Sequence, residues 1–151
     1  MSVRILTPGD LPEAMALVRT VFMEFEAPGY IEEGITHFLE FIREDAMCDR
    51  MEAGDLTLWG HFSGDEMVGV IASRRGEHIS LLFVRRDMHR RGIATRLFGA
   101  VLDHFPSPDG VTVNASPYGH GAYCRMGFMD TGPETTINGI MFIPMIYHRQ
   151  A

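Results

Sequence analysis

The chain has 151 residues, 46% of them hydrophobic and 22% charged, with a net charge of −7. That length suits one domain, residues 1–151, able to bury about 70% of the surface its unfolded chain exposes, so no disulfide or metal staple is needed. The acidic balance repels nucleic acid, two cysteines cannot build a disulfide framework, and no apolar run approaches membrane-spanning length. A reducing cytoplasm is the setting these features fit.

Residues 2–6 read as a short strand punctuated by Thr7-Pro8-Gly9-Asp10. Asp10, with Glu13 three residues on and Pro12 in the first turn, predicts an N-cap and capping box for a helix through about Phe25. Ala14, Leu17, Val18, Val21, Phe22 and Phe25 form its apolar stripe. Ala27-Pro28-Gly29 stops it, and a second helix is expected over residues 31–48, burying Ile35, Phe38, Leu39 and Ile42. Strands over residues 56–62 and 67–73 flank Ser63-Gly64-Asp65, a hairpin signal. A strand over 78–84 and a helix after Gly92 follow. A connector over 106–110 leads to a strand near 111–115, then to a short helix around 121–126. Final strands are expected near 128–131 and 140–147. Eleven Met and ten Phe supply an adaptable core.

The most informative stretch lies at the centre of this order. Ile79, Leu81 and Phe83 alternate with Ser80, Leu82 and Val84 in a run of β-formers, nearly all apolar, as a strand covered on both faces should be. Leu97, Ala100, Val101 and Leu102 then recur at helical spacing. The period therefore changes from two to about 3.6 across residues 85–91, which places that turn at a helix N-terminus. The first backbone N–H groups there lack intrahelical partners and the macrodipole is positive, so an anion is attracted; Gly92 carries no Cβ to hold it off. Charge agrees. All thirteen basic residues are Arg, and seven of them fall in residues 74–96 against Glu77 and Asp87, a local +5 that leaves −12 elsewhere. Such runs are ordinarily a solvated face. Their position beside the helix start favours a bound polyanion.

His89-Arg90-Arg91-Gly92-Ile93-Ala94 resembles the Q/R-x-x-G-x-G/A motif of the GNAT superfamily of acetyl-CoA-dependent N-acetyltransferases, with His89 where the family has Gln or Arg. Residues 113–128, VNASPYGHGAYCRMGF, are similar to that family's later strand-and-helix block through Tyr123, Gly127 and Phe128. The resemblance implies an α/β (α+β) fold with a mixed, mostly antiparallel sheet of about six to seven strands and about four flanking helices. The sheet should splay between the strand ending at Val84 and the strand near residues 111–115.

The resemblance further implies that Leu82, Phe83 and Val84 pair with the pantetheine arm of acetyl-CoA, while His89, Arg90, Arg91, Gly92, Ile93, Ala94 and Thr95 hold its phosphates. Direct transfer to an amine needs a neutral nucleophile, an oxyanion stabiliser and a proton donor for the leaving thiolate. Tyr123 is the implied acid, with Tyr118 a rival, and the Phe83 or Val84 amide the oxyanion donor. His78, Glu77, Asn114 or water remain open as the base. Cys124 reads as buried packing. The acceptor is expected to be a small-molecule or chain-terminal primary amine, preferably carrying further positive charge, bordered by Phe22, Phe25, Tyr30, Glu24, Glu26, Glu32 and Glu33. No nucleic acid, membrane or metal is expected, and the seven His show no cluster at ligand spacing; a homodimer is compatible. A nicotinamide site fails for want of G-x-G-x-x-G. The competing reading is a non-catalytic acyl-CoA sensor of the same fold, since fold does not fix function.

Overall fold

The computed structural model describes residues 1–106 and 109–149, so the expected connector over 106–110 lies partly outside it. In chain order the elements are β1 (Ser2–Ile5), α1 (Leu11–Phe25), α2 (Glu32–Phe41), α3 (Glu44–Glu52), β2 (Leu56–Ser63), β3 (Glu66–Arg74) and β4 (His78–Val84). They continue as α4 (Ile93–His104), β5 (Val111–Ala115), α5 (His120–Arg125), β6 (Met129–Asp130), β7 (Thr135–Ile137) and β8 (Ile140–Tyr147). Eight strands and five α-helices among the described residues exceed the expected six to seven and four. No helix there is long and apolar enough to cross a membrane.

Both extra elements have local causes. The helix expected over 31–48 breaks at Ile42, and Arg43 turns extended with φ −57° and ψ 138°. Arg43 bridges Glu40 and Asp45 across the break. Arg50 donates to the Phe41 carbonyl at 2.8 Å, satisfying a group that α2 leaves unpaired at its end. Glu44 and Asp45 in the first turn of α3 meet its positive dipole end. The added strand, β7, pairs with β8 through a two-residue turn in which Asn138 and Gly139 both take positive φ, the conformation that suits a tight hairpin.

The start of α1 also differs from expectation. Residues 8–10 form a single 3-10 turn, and the box is made between Thr7 and Asp10. The Asp10 carboxylate accepts the Thr7 amide at 2.8 Å and pairs with Arg4 at 3.0 Å. Glu13 instead accepts the Met67 amide at 3.2 Å, tying α1 to β3.

The sheet runs β1-β2-β3-β4-β5-β8-β6, with β7 also paired to β8 through residues 140–142. Every pairing is antiparallel except β4 with β5. That parallel pairing holds only at His78–Thr112 and Ile79–Val113, so the two strands part beyond Ile79. The expected splay is present. Leu11, Val18 and Phe22 of α1 pack with Leu58, Val70 and Leu81 on one face of the sheet. Leu97 and Val101 of α4 pack with Val68, Ile71 and Val113 on the other. Each such side chain contributes about 1.5–3 kcal/mol by leaving water, which fixes the helices that border the splay.

The helix α2 is docked by contact between backbones. A Cβ on Gly34 would stand 2.1 Å from the Gly139 carbonyl oxygen in the β7–β8 turn. Gly34→Ala should therefore push α2 off that turn and cost about 1–3 kcal/mol or more, as overpacking does. Urea unfolding is expected to show a lowered midpoint at unchanged m; an unchanged midpoint would refute the contact.

Candidate active site

A cavity of about 740 Å³ opens where β4 and β5 diverge. Its size falls within the usual range for small-molecule sites. One wall is β4 from Ile79 to Val84; another is the loop and first turn of α4, through Arg90, Gly92, Ile93, Ala94 and Thr95. Beyond Ile79 the β4 edge facing β5 has no strand partner, so its peptide groups are free to pair with an extended, amide-bearing ligand.

The α4 end has the features an anion needs. Gly92 is its N-cap with φ +75°, a left-handed conformation that favours glycine, and no side chain caps the helix. The first intrahelical bond runs from the Arg96 amide to the Gly92 carbonyl at 3.0 Å, leaving the amides of Ile93, Ala94 and Thr95 without helical partners. His89 lines the cavity, but its Nε2–H donates to the Val84 carbonyl at 2.8 Å. Its side chain closes the loop onto the end of β4, which engages one of its two ring nitrogens. Arg91 is the one expected contact residue that does not line the cavity.

Carboxylates neutralise three of the seven island arginines. Arg75 pairs with Asp55, Arg85 with Asp87 and Glu66, and Arg86 with Glu24. Arg96 donates to the buried ring of His61 at 3.0 Å. Arg74, Arg90, Arg91 and Arg96 form no ion pair among the described residues, and Arg90 is the island arginine that lines the cavity. The anion site therefore rests on helix amides and one arginine more than on a sevenfold positive patch.

Tyr123 projects from α5 into the same cavity. Its ring packs edge-on against Phe128 at 5.3 Å, while its hydroxyl makes no hydrogen bond to the described residues. Burial, and then the charge of Glu26, push the hydroxyl above the ordinary tyrosine value, so it carries its proton at neutral pH. Tyr118 also lines the cavity and stacks on Phe25 at 4.9 Å. Of the base candidates, His78 and Glu77 lie outside it. The His78 Nδ1 is bonded to Thr112 at 2.8 Å, where β4 and β5 still pair, and burial followed by Arg74 lowers its pKa. Asn114 lines the cavity, but an amide is no base at neutral pH.

Among the four glutamates expected to border an acceptor, Glu26 alone lines the cavity. Glu24 is turned to Arg86, and Glu32 and Glu33 are exposed on α2. Cys124, expected as packing, is exposed. With His120 and Asp130 it forms a group whose donor atoms lie within 4.8 Å of one another, His120 Nε2 to the Asp130 carboxylate being 2.6 Å. This corrects the expectation of no cluster at ligand spacing. His120 and Cys124 are one helical turn apart, and the fold alone brings in Asp130 from β6.

The Acetyltransferase (GNAT) domain family matches residues 26–149. No curated protein matches the chain in sequence. Among solved structures, a GCN5-related N-acetyltransferase from Rhodopseudomonas palustris superposes with a TM-score of 0.83 at 19% identity, over 98% of this chain and 95% of that one. The PaiA N-acetyltransferase from Thermoplasma acidophilum, solved in complex with coenzyme A, superposes with a TM-score of 0.79 at 19% identity, over 99% and 100% of the two chains. At such identities the superpositions establish the shared fold.

A charged side chain at the α4 N-terminus tests the anion site. Gly92→Glu should abolish coenzyme A binding by isothermal titration calorimetry, with circular dichroism unchanged. Gly92→Ala should fold and bind more weakly, because its Cβ meets only the Arg96 guanidinium, at 3.6 Å, and the residual cost is the positive φ. Unaltered binding by Gly92→Glu would place the phosphates elsewhere.

Proposed function

Since the chain belongs to the GNAT acetyltransferase family, we propose that it transfers an acetyl group from acetyl-CoA to a primary amine by direct attack in a ternary complex. The observation that carries this reading is one continuous cavity with the unpartnered α4 amides at one end, the unpaired β4 edge along its side and the unbonded Tyr123 hydroxyl within it. The residues present fit the co-substrate. Amides of residues 90–95 and Arg90 would hold the pyrophosphate, and Leu82, Phe83 and Val84 would pair with the pantetheine amides.

Three groups then divide the chemistry. The Phe83 or Val84 amide, held by the sheet, donates to the carbonyl oxygen as negative charge develops there. Tyr123, kept protonated by its surroundings, supplies a proton to the departing sulfur. The acceptor enters from the side bordered by α1, the turn after it and β8, where Val21, Tyr30 and Ile140 line the cavity. We take it to be a small molecule or chain terminus bearing a primary amine. The −12 carried outside residues 74–96 enriches cations around that entrance and favours acceptors with additional positive charge.

Acetyl-CoA near 100 Kd should stabilise the fold by about 2.7 kcal/mol, a melting shift of about 5–10 °C for a chain of this size. Release of free thiol in the presence of n-butylamine, spermidine or glycinamide reports turnover and separates an enzyme from a sensor. Absence of both the shift and the thiol at millimolar acetyl-CoA would reject the reading.

Tyr123→Phe deletes one hydroxyl while keeping the ring against Phe128. It is expected to lower kcat by about 10²–10⁴-fold, the usual worth of a positioned acid, with acetyl-CoA affinity nearly unchanged. Activity within about threefold of the parent would show that water or Tyr118 supplies the proton.

A further inference from the structure

Glu26 stands at the C-terminal end of α1 with no basic residue in the last turn of that helix. It lines the cavity, where Ser116 and Tyr118 approach it from the β5–α5 loop, Tyr30 from the turn after α1 and Tyr123 from α5. The remaining charged groups nearby are accounted for. Glu24 is bonded to Arg86 at 2.8 Å, His89 to Val84, and Arg90 and Arg125 are the cations that line the same cavity. A carboxylate so placed is an expensive residue to keep. It sits at the negative end of a helix dipole, in surroundings dominated by aromatic rings. Among the described residues it builds no ion pair that would explain it structurally.

Resting on the function proposed above, we infer that Glu26 is the catalytic base, which receives the proton of the acceptor's ammonium group inside the cavity. The ammonium gives one proton to the Glu26 carboxylate, and the freed nitrogen lone pair forms the C–N bond to the acetyl carbon. The C–S bond breaks, and its electron pair leaves on sulfur, which takes the Tyr123 proton. The second proton on the new amide nitrogen passes to the Tyr123 oxygen, directly or through water, and Glu26 returns its own proton to solvent. The products are the N-acetyl amine, coenzyme A thiol and one proton.

The environment sets Glu26 to its task. Burial raises its pKa to about 7 against a smaller lowering by the Ser116 hydroxyl, and an acceptor base works best with a pKa near the working pH. The reverse influence is visible in its neighbours. The Tyr30 hydroxyl is pushed up to about 12 by burial and then by the Glu26 charge, and Tyr118 and Tyr123 are raised in the same sense. The linkage has a definite sign. With a folded pKa above the unfolded one, folded protein binds more protons between about pH 4.5 and 7, so Glu26 lowers stability as pH rises through that window.

Glu26→Gln and Glu26→Asp, each with acetyl-CoA and the three amines named above, test the assignment. For Glu26→Gln, kcat/KM should fall about 10²–10⁴-fold with unchanged coenzyme A affinity. The ratio of parent to variant kcat/KM should rise with pH through about 7, and Glu26→Asp should restore part of the rate. Glu26→Gln should also melt higher than the parent at pH 8, with the difference vanishing near pH 4.5, whereas loss of a merely structural residue would lower the melting temperature at both. Turnover of Glu26→Gln within threefold of the parent, or a flat pH ratio, would overturn this inference and leave the acetyltransferase reading standing. A parent that neither binds nor turns over acetyl-CoA would overturn both.

Discussion

The structure depends on the limit to pairing between β4 and β5. Two adjacent parallel strands would ordinarily saturate each other's backbone groups along their length. Here the ladder stops after Ile79–Val113, while β4 continues to Val84 and β5 to Ala115, where it is held instead by β8. The peptide groups on the β5-facing edge of residues 80–84 are thus presented to a cavity. Opening a sheet in this way exposes polar backbone that must find partners. The layers on both faces prevent closure. Phe83 is held against the α1 side, and Leu82 and Val84 pack toward α4. The splay is therefore built into the packing of both layers.

The same divergence places chemistry that the fold would otherwise have no reason to tolerate. Helix α4 begins at a glycine with no side-chain cap, the Tyr123 hydroxyl has no hydrogen-bond partner among the described residues, and Glu26 carries a carboxylate into an aromatic surround. Each is unfavourable for folding alone, and all three open into one cavity. Sites where local rules are broken together are where function is expected, because the unmet groups are met by ligand. Stability and activity should accordingly oppose each other at these positions.

Much of this was readable from the chain because it is local. The change of period across residues 85–91 and the glycine at 92 are short-range features, and β4 and β5 appear with the predicted bounds. The hairpin of β7 and β8 carried the Asn-Gly signal, but three residues of strand before it were too few to stand out. The break at Ile42 involves neither Gly nor Pro, so apolar periodicity runs through it; what satisfies the broken end is Arg50 from the next helix. The arginine island misled for a related reason. Its partners Asp55, Glu66 and Glu24 lie 20, 19 and 62 residues away and meet it only in the folded sheet and helices. Nothing in the string of glutamates from 24 to 33 distinguishes the one that points inward, since that depends on where α1 ends against the β5–α5 loop.

The central claim is that the α4 amides and the open edge of β4 together form the acetyl-CoA site. Amide chemical shifts of ¹⁵N-labelled protein titrated with coenzyme A read those groups individually. The largest perturbations should fall on residues 82–84 and 90–95, with little change at Arg74, Arg75 or the β1–β2 pair. A saturable response centred elsewhere, or none at millimolar coenzyme A, would contradict the account.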